Sequence, residues 1–234
     1  MSLIEVNCIY KNYGPVKALD DVNFDVKEGE AFGLVGESGS GKTTLGRIIV
    51  QLIRPSRGEI VYSNGFSRKD YQIVFQNPWT SLNPRIKIKE ILEEPLKIHR
   101  IKKDVPRILN EVELDASFIN KYPHELSGGE RQRVGIARAI SVEPKFIVLD
   151  EPVSSLDVTI QADILKLIKK IRKELGLTIL LIAHDLSVIR YMCDRVGVLR
   201  SGVLVEKGTV DEVYKDPQHS YTKLLLSSIP KLSN

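Results

Sequence analysis

The chain has 234 residues, 42% apolar and 27% charged. These proportions suit a globular protein with a sizeable core and exclude a disordered, collagenous or disulfide-stapled chain. Lys plus Arg number 34 and Asp plus Glu 30, a net charge of +4. That is compatible with an anionic small ligand or an anionic membrane surface and too weak to indicate nucleic acid. Cys8 and Cys193 form no disulfide framework and fit a reducing compartment. No apolar run approaches the roughly 18 residues needed to span a bilayer. Met1-Ser2-Leu3-Ile4-Glu5 lacks the pattern of a signal peptide. The chain is therefore expected in the cytosol unless a partner holds it at the membrane.

Residues 3–10 alternate loosely, and Val22, Phe24 and Val26 alternate cleanly with polar neighbours, which predicts two half-buried strands. Residues 31–35 form a short apolar strand, followed by a glycine-rich loop and a helix from Lys42 to about Leu52, ending before Pro55. Two further strands are expected within 57–76, around Asn64-Gly65. The long polar stretch 77–126 carries helical patterns and reads as an inserted helical subdomain. A helix is predicted over 127–139 and a buried strand over 145–149. Ile160, Ile164, Leu167, Ile168 and Ile171 mark one face of an amphipathic helix that Gly176 stops. A strand over 177–183, a helix near 186–193, two strands flanking Ser201-Gly202 and a helical tail over 216–234 complete the chain. Alternating strands and helices imply an α/β fold with a mostly parallel core sheet. In that division residues 1–76 and 127–215 form the core.

The strongest motif is Gly36-Glu37-Ser38-Gly39-Ser40-Gly41-Lys42-Thr43, followed by Thr44. It matches G-x-x-x-x-G-K-[ST] in full, after a buried strand and before a helix, a context that argues against a chance glycine-rich turn. Glycines let successive backbone N–H groups face a phosphate chain, and the helix N-terminus adds partial positive charge. Lys42 can reach the β- and γ-phosphates, and the Thr43 hydroxyl can ligate Mg²⁺. In Phe146-Ile147-Val148-Leu149-Asp150-Glu151, two carboxylates end a buried strand, where ligands bind in open α/β sheets. Asp150 can hold the metal or its water shell, and Glu151 can polarise an attacking water. In Leu126-Ser127-Gly128-Gly129-Glu130-Arg131-Gln132-Arg133, Ser127 and Glu130 form a capping box that opens a helix. The two glycines make its tip a second anion-binding helix end.

This third motif resembles the LSGGQ-like signature of the ATP-binding subunits of ABC transporters, with Glu130 in place of Gln. The resemblance implies two ATP molecules sandwiched in a head-to-tail dimer, where Ser127, Gly128 and Gly129 of one chain touch the γ-phosphate held by the other chain's phosphate loop. It implies the phosphate-loop NTPase fold of the ABC ATPases, an α/β fold whose mostly parallel core sheet carries an antiparallel β subdomain and an inserted helical subdomain, and it implies further roles, residue by residue. Tyr13 would stack on adenine, and Gln76 would contact Mg²⁺ or the attacking water. Asp157, in Ser154-Ser155-Leu156-Asp157, would lie in the loop that crosses the dimer interface. His184 would sense the γ-phosphate. Two departures are visible: a short connection between Gly65 and Gln76, and Val153 where the family often has Thr or another small residue.

Residues 75–96 and the tail segment Pro217–Pro230 resemble the oligopeptide/dipeptide/nickel importer branch of that family, with Ser220 in place of its usual Pro. The branch implies a peripheral ATPase at the cytoplasmic face of the cell membrane. It would work with transmembrane permease subunits, an identical or paralogous ATPase subunit and, indirectly, a solute-binding protein. Trp79 and the apolar residues near Leu82 and Ile86 are expected to line a groove for the permease's coupling helix, with packing inside the helical insert as the alternative for Trp79. No iron–sulfur site is expected. The competing classes are a soluble ABC-type ATPase of a non-transport machine, which would usually carry a coiled-coil insertion or a second ATPase core, and a phosphate-loop kinase or GTP-binding module. The latter leaves Leu126–Arg133 and Gln76 unexplained.

Overall fold

A computed structural model describes residues 1–63 and 65–227, with the side chains of Pro78 and Thr80 excepted. Asn64 of the expected turn, and Ser228, Ile229 and Pro230 with the rest of the tail, lie outside the described residues. In chain order the elements are β1 (Ser2–Tyr13), β2 (Val16–Lys27), β3 (Ala31–Val35), α1 (Lys42–Ile49), β4 (Arg57–Tyr62), β5 (Tyr71–Val74), α2 (Pro78–Ser81), α3 (Ile88–His99) and α4 (Val105–Glu111). They continue with α5 (Gly128–Ile140), β6 (Phe146–Asp150), α6 (Val158–Leu175), β7 (Thr178–Ala183), α7 (Leu186–Met192), β8 (Arg195–Arg200), β9 (Val203–Thr209), α8 (Val210–Lys215) and α9 (Ser220–Ser227). The described parts of Met1–Phe66 and Thr178–Asn234 form one compact unit, and Ser67–Leu177 forms another.

The first unit contains an antiparallel sheet and parallel strand pairs. β2, β1 and β4 form an antiparallel sheet in that order. β3 pairs in parallel with β7 on one side and β8 on the other, and β9 adds an antiparallel edge to β8. All five residues of β3 and all six of β7 are buried, as a central parallel strand requires. Phe32 on β3 is fully buried and stacks on Phe24 of β2 with ring centroids 4.9 Å apart. Arg195 covers the Phe32 ring at 5.4 Å and pairs with Asp25 at 3.1 Å and Glu30 at 3.4 Å, which satisfies a guanidinium lodged at the rim of an apolar core.

The second unit is built around α5, which touches α2, α3, α4 and α6. Val134, Ile136, Ala137, Ala139 and Ile140 are the buried face of this helix. β5 and β6 pair in parallel, with Tyr71 opposite Phe146 and Val74 opposite Leu149. The expected helical character of residues 77–126 is realised in α2, α3, α4 and short 3₁₀ turns, all within this unit. One expectation is corrected. Leu82 is only 2% exposed and belongs to the core, so it lines no docking groove. Trp79 is 56% exposed, with the Arg131 guanidinium stacked over its ring.

The start of α5 follows from its sequence. Ser127 has extended backbone, its hydroxyl accepts the Glu130 N–H at 3.3 Å, and the Glu130 carboxylate accepts the Ser127 N–H at 2.7 Å. That is the predicted reciprocal cap. The Ser127 amide is the main reason the Glu130 carboxyl is held below its ordinary value of 4.5, against the opposing effect of burial.

Two outcomes follow. Phe32→Ala should lower the free energy of unfolding by about 3–5 kcal/mol in urea titrations, because it removes a ring from a site with no room to collapse. A lowered native pKa means that Glu130 contributes stability fully above the ordinary value, and that this contribution is lost as pH falls from there through the native value. The difference in urea midpoint between the wild type and Glu130→Gln should therefore shrink between pH 6 and pH 3.5, with no comparable change between pH 6 and pH 8.

Candidate functional site

The predicted phosphate loop leaves the buried end of β3 and enters α1. Gly36 has φ 152°, and a Cβ there would lie 2.1 Å from the Leu199 carbonyl oxygen. At Gly41, φ is 105° and a Cβ would lie 2.5 Å from the Ala18 carbonyl oxygen. Only glycine meets both demands, of left-handed backbone and of close approach. The Lys42 ammonium curls back along the loop and donates to the Gly36 carbonyl at 2.7 Å and the Glu37 carbonyl at 2.8 Å. Lys42 is 5% exposed. The Ser40 N–H closes onto the Glu37 carbonyl at 3.1 Å, and the Ser40 carbonyl accepts the Gly202 N–H at 3.0 Å. The Ser40 hydroxyl is buried and has no hydrogen-bond partner among the described residues, a cost that a polar ligand would relieve. Glu37, Ser38 and Gly39 are exposed at the loop's crest, and Thr43 and Thr44 are half-buried on the first turn of α1. That turn carries no acidic residue, so no carboxylate of its own offsets the positive end of the helix.

His184 follows the last residue of β7 and is exposed, while the next residue, Asp185, caps α7 by accepting the Ser187 N–H at 2.7 Å. Tyr13 ends β1 with half its surface exposed and the Lys11 ammonium 5.0 Å from its ring centroid.

In the second unit the parallel pairing of β5 with β6 brings the residues after both strands together. The Gln76 amide nitrogen donates to the Glu151 carboxylate at 3.2 Å. Asp150, the last residue of β6, is 2% exposed. Glu151 has φ 46°, a left-handed conformation that is uncommon for a side chain of this size. Its carbonyl accepts both the N–H and the hydroxyl of Ser154, at 3.3 and 3.2 Å, which holds the turn. The helix tip at Ser127, Gly128 and Gly129 packs on the turn that precedes α6. A Cβ on Gly128 would stand 3.1 Å from Leu156, and one on Gly129 would stand 2.7 Å from Ile160. Asp157 caps α6 by accepting the Ile160 N–H at 3.1 Å.

Two residues that were not singled out touch these segments. The Arg131 guanidinium donates to the carbonyls of Pro123 and Leu126, bracing the chain just before Ser127. The Tyr221 hydroxyl accepts the Glu37 N–H at 3.0 Å. Arg131 could have been suspected as a charge on the apolar side of α5. No local pattern announces Tyr221, because its partner is a backbone group far away in sequence.

Residues 19–154 match the family model described as ABC transporter, and residues 205–234 match the oligopeptide/dipeptide transporter C-terminal region. The chain is 50% identical over 234 residues to the oligopeptide transport ATP-binding protein OppF of Streptococcus mutans serotype c (92% of this chain, 76% of that one). It is 46% identical over 252 residues to the OppF of Bacillus subtilis (97% and 82%). Among solved structures, it resembles cbiO1 from Clostridium perfringens, part of the ABC transporter complex cbiONQ, with TM-score 0.80, 30% identity and coverage of 92% and 91%. It also resembles the dimeric ATP-binding cassette MJ0796 in a post-hydrolysis state bound to ADP and Pi, with TM-score 0.77, 32% identity and coverage of 88% and 98%. A phosphate loop, paired strand-end carboxylates and a capped signature helix thus occur in a chain that belongs to the ABC transporter family, in the branch bearing the oligopeptide/dipeptide C-terminal region.

Proposed function

We propose that this chain is the ATP-hydrolysing subunit of an ABC importer for peptides or a related small solute. The contact between Gln76 and Glu151 carries the hydrolytic part, because it points a carboxylate and an amide at one place beside the buried Asp150. The peptide part rests on the C-terminal region and on relatives named for oligopeptide transport.

In this reading ATP enters with its adenine against Tyr13 and its phosphates along residues 36–44. The loop amides and Lys42 offset the phosphate charge. Glu151 orients and polarises a water for in-line attack on the γ-phosphorus, and the reaction yields ADP and inorganic phosphate. His184 senses the γ-phosphate before and after cleavage. The Thr43 hydroxyl, the Asp150 carboxylate and the Gln76 amide oxygen are hard oxygen donors suited to Mg²⁺. Among the described residues no cluster of three or more His, Cys, Asp or Glu side chains forms a closed metal cage. Such a donor set fits a metal shared with phosphate oxygens and waters. When bound, Mg²⁺ neutralises charge on the β- and γ-phosphates.

The Ser127 hydroxyl oxygen accepts the cap hydrogen bond, so its own proton is available to donate to an anion. The tip formed by Ser127, Gly128 and Gly129 grips the γ-phosphate on the loop of a second chain, identical or paralogous, with Asp157 at the dimer interface. A dimer that closes on ATP and opens after cleavage supplies the motion used by the transmembrane permease subunits. No helix among the described residues is long and apolar enough to cross a membrane, which fits a peripheral subunit at the cytoplasmic face. Residues 77–126, with Trp79 and Ile86, form the helical subdomain that meets the permease, and a solute-binding protein supplies the cargo.

Glu151→Gln should reduce kcat for ATP by about 10²-fold or more and accumulate an ATP-bound dimer in light scattering. The reading fails if that variant hydrolyses ATP like the wild type, or stays monomeric with ATP and Mg²⁺ both alone and with its paralogue. Lys42→Ala should abolish dimer formation by preventing nucleotide binding, as read by equilibrium dialysis.

A further inference from the structure

Helix α9 is tied to the phosphate loop. Tyr221 of α9 is 3% exposed, and its hydroxyl oxygen accepts the Glu37 N–H at 3.0 Å. The Glu37 carbonyl accepts the Lys42 ammonium at 2.8 Å and the Ser40 N–H at 3.1 Å. The two peptide groups of Glu37 are thus tied in opposite directions, one to the tail and one into the loop.

Tyr221 is itself held on several sides. Arg200, at the end of β8, lies 4.8 Å from its ring centroid. Its N–H donates to His219 Nδ1 at 3.1 Å. The Glu206 carboxylate on β9 accepts the N–H groups of Gln218 and His219 at 2.7 and 3.0 Å. The turn between β8 and β9 carries Gly202, which donates to the Ser40 carbonyl. One hairpin therefore seats the tyrosine and also props the far side of the loop. Burial pushes the Tyr221 phenol above its ordinary value, so the group stays a neutral hydroxyl at working pH.

We infer that Tyr221 is a positioning residue for nucleotide binding, acting through the Glu37 N–H to keep the first turn of the phosphate loop in the shape a triphosphate needs. The inference rests on the reading of residues 36–44 as the ATP site. It gives the C-terminal region a part in binding the fuel, in addition to any part in assembly. Without the hydroxyl, the Glu37 amide loses its acceptor, and nucleotide must fix that turn as it binds, at the expense of affinity.

Tyr221→Phe is the direct test, since the ring remains under Arg200 and one oxygen is removed. In the full chain, the Kd for a fluorescent ATP analogue should rise about tenfold. The KM for ATP should rise by the same factor with kcat changed less than about twofold, because the groups proposed for the chemistry are untouched. A role in folding alone would lower the melting temperature without nucleotide and leave Kd unchanged, and that result overturns the inference, as does a loss confined to kcat. Amide hydrogen exchange in the wild type gives a second measurement that requires no variant. The Glu37 amide should be protected without nucleotide, and exchange there at the rate of an open loop also overturns the inference. A wild-type chain that fails to bind the analogue would instead sink the ATP reading itself.

Discussion

The return of the Lys42 ammonium onto the Gly36 and Glu37 carbonyls is the interaction on which the loop's shape depends. A glycine-rich segment has little intrinsic order and loses much backbone entropy on being fixed. Here the lysine bridges two successive carbonyls, and the two flanking glycines sit where any side chain would strike backbone oxygen. The loop is thereby shaped before a ligand arrives, which lowers the cost of binding. The same constraint explains why β3 must be buried along its whole length: the loop is only as fixed as the strand that delivers it.

A comparable economy governs the second unit. Ser127 and Glu130 satisfy each other's amides, so the tip of α5 needs no further partner to be stable. Leu156 and Ile160 fill the space where side chains at Gly128 and Gly129 would stand. The glycines therefore do more than expose amides, since they let the turn before α6 lie against the signature helix. A displacement of α6 would move the residues assigned to the dimer contact and the residues assigned to the γ-phosphate together.

Much of this was legible in the sequence because the signals are local. The capping box placed the start of α5, Gly176 marked the end of α6, and the unbroken apolar runs placed β6 and β7 within a residue of their observed limits. The motif residues fell at strand ends and helix tips, as their spacing required. Long-range packing was less visible. In sequence Leu82 is one of several apolar residues near Trp79, and only tertiary contacts decide which of them is buried. The left-handed backbone at Cys8 and Asp21, near the register shifts of β1 against β2, has no glycine to announce it. The Tyr221 contact spans 184 positions in sequence, beyond any periodicity.

Glu151 combines a bulky acidic side chain with a left-handed backbone, a pairing that costs on the order of 1 kcal/mol and that glycine or asparagine would avoid. With the role proposed for Glu151, stability and turnover pull this position in opposite directions. A duplicated copy of the gene, relieved of the need to split ATP, would gain folding free energy by drifting away from glutamate here. In a dimer of the proposed kind, such drift in one chain would leave one working and one silent pocket.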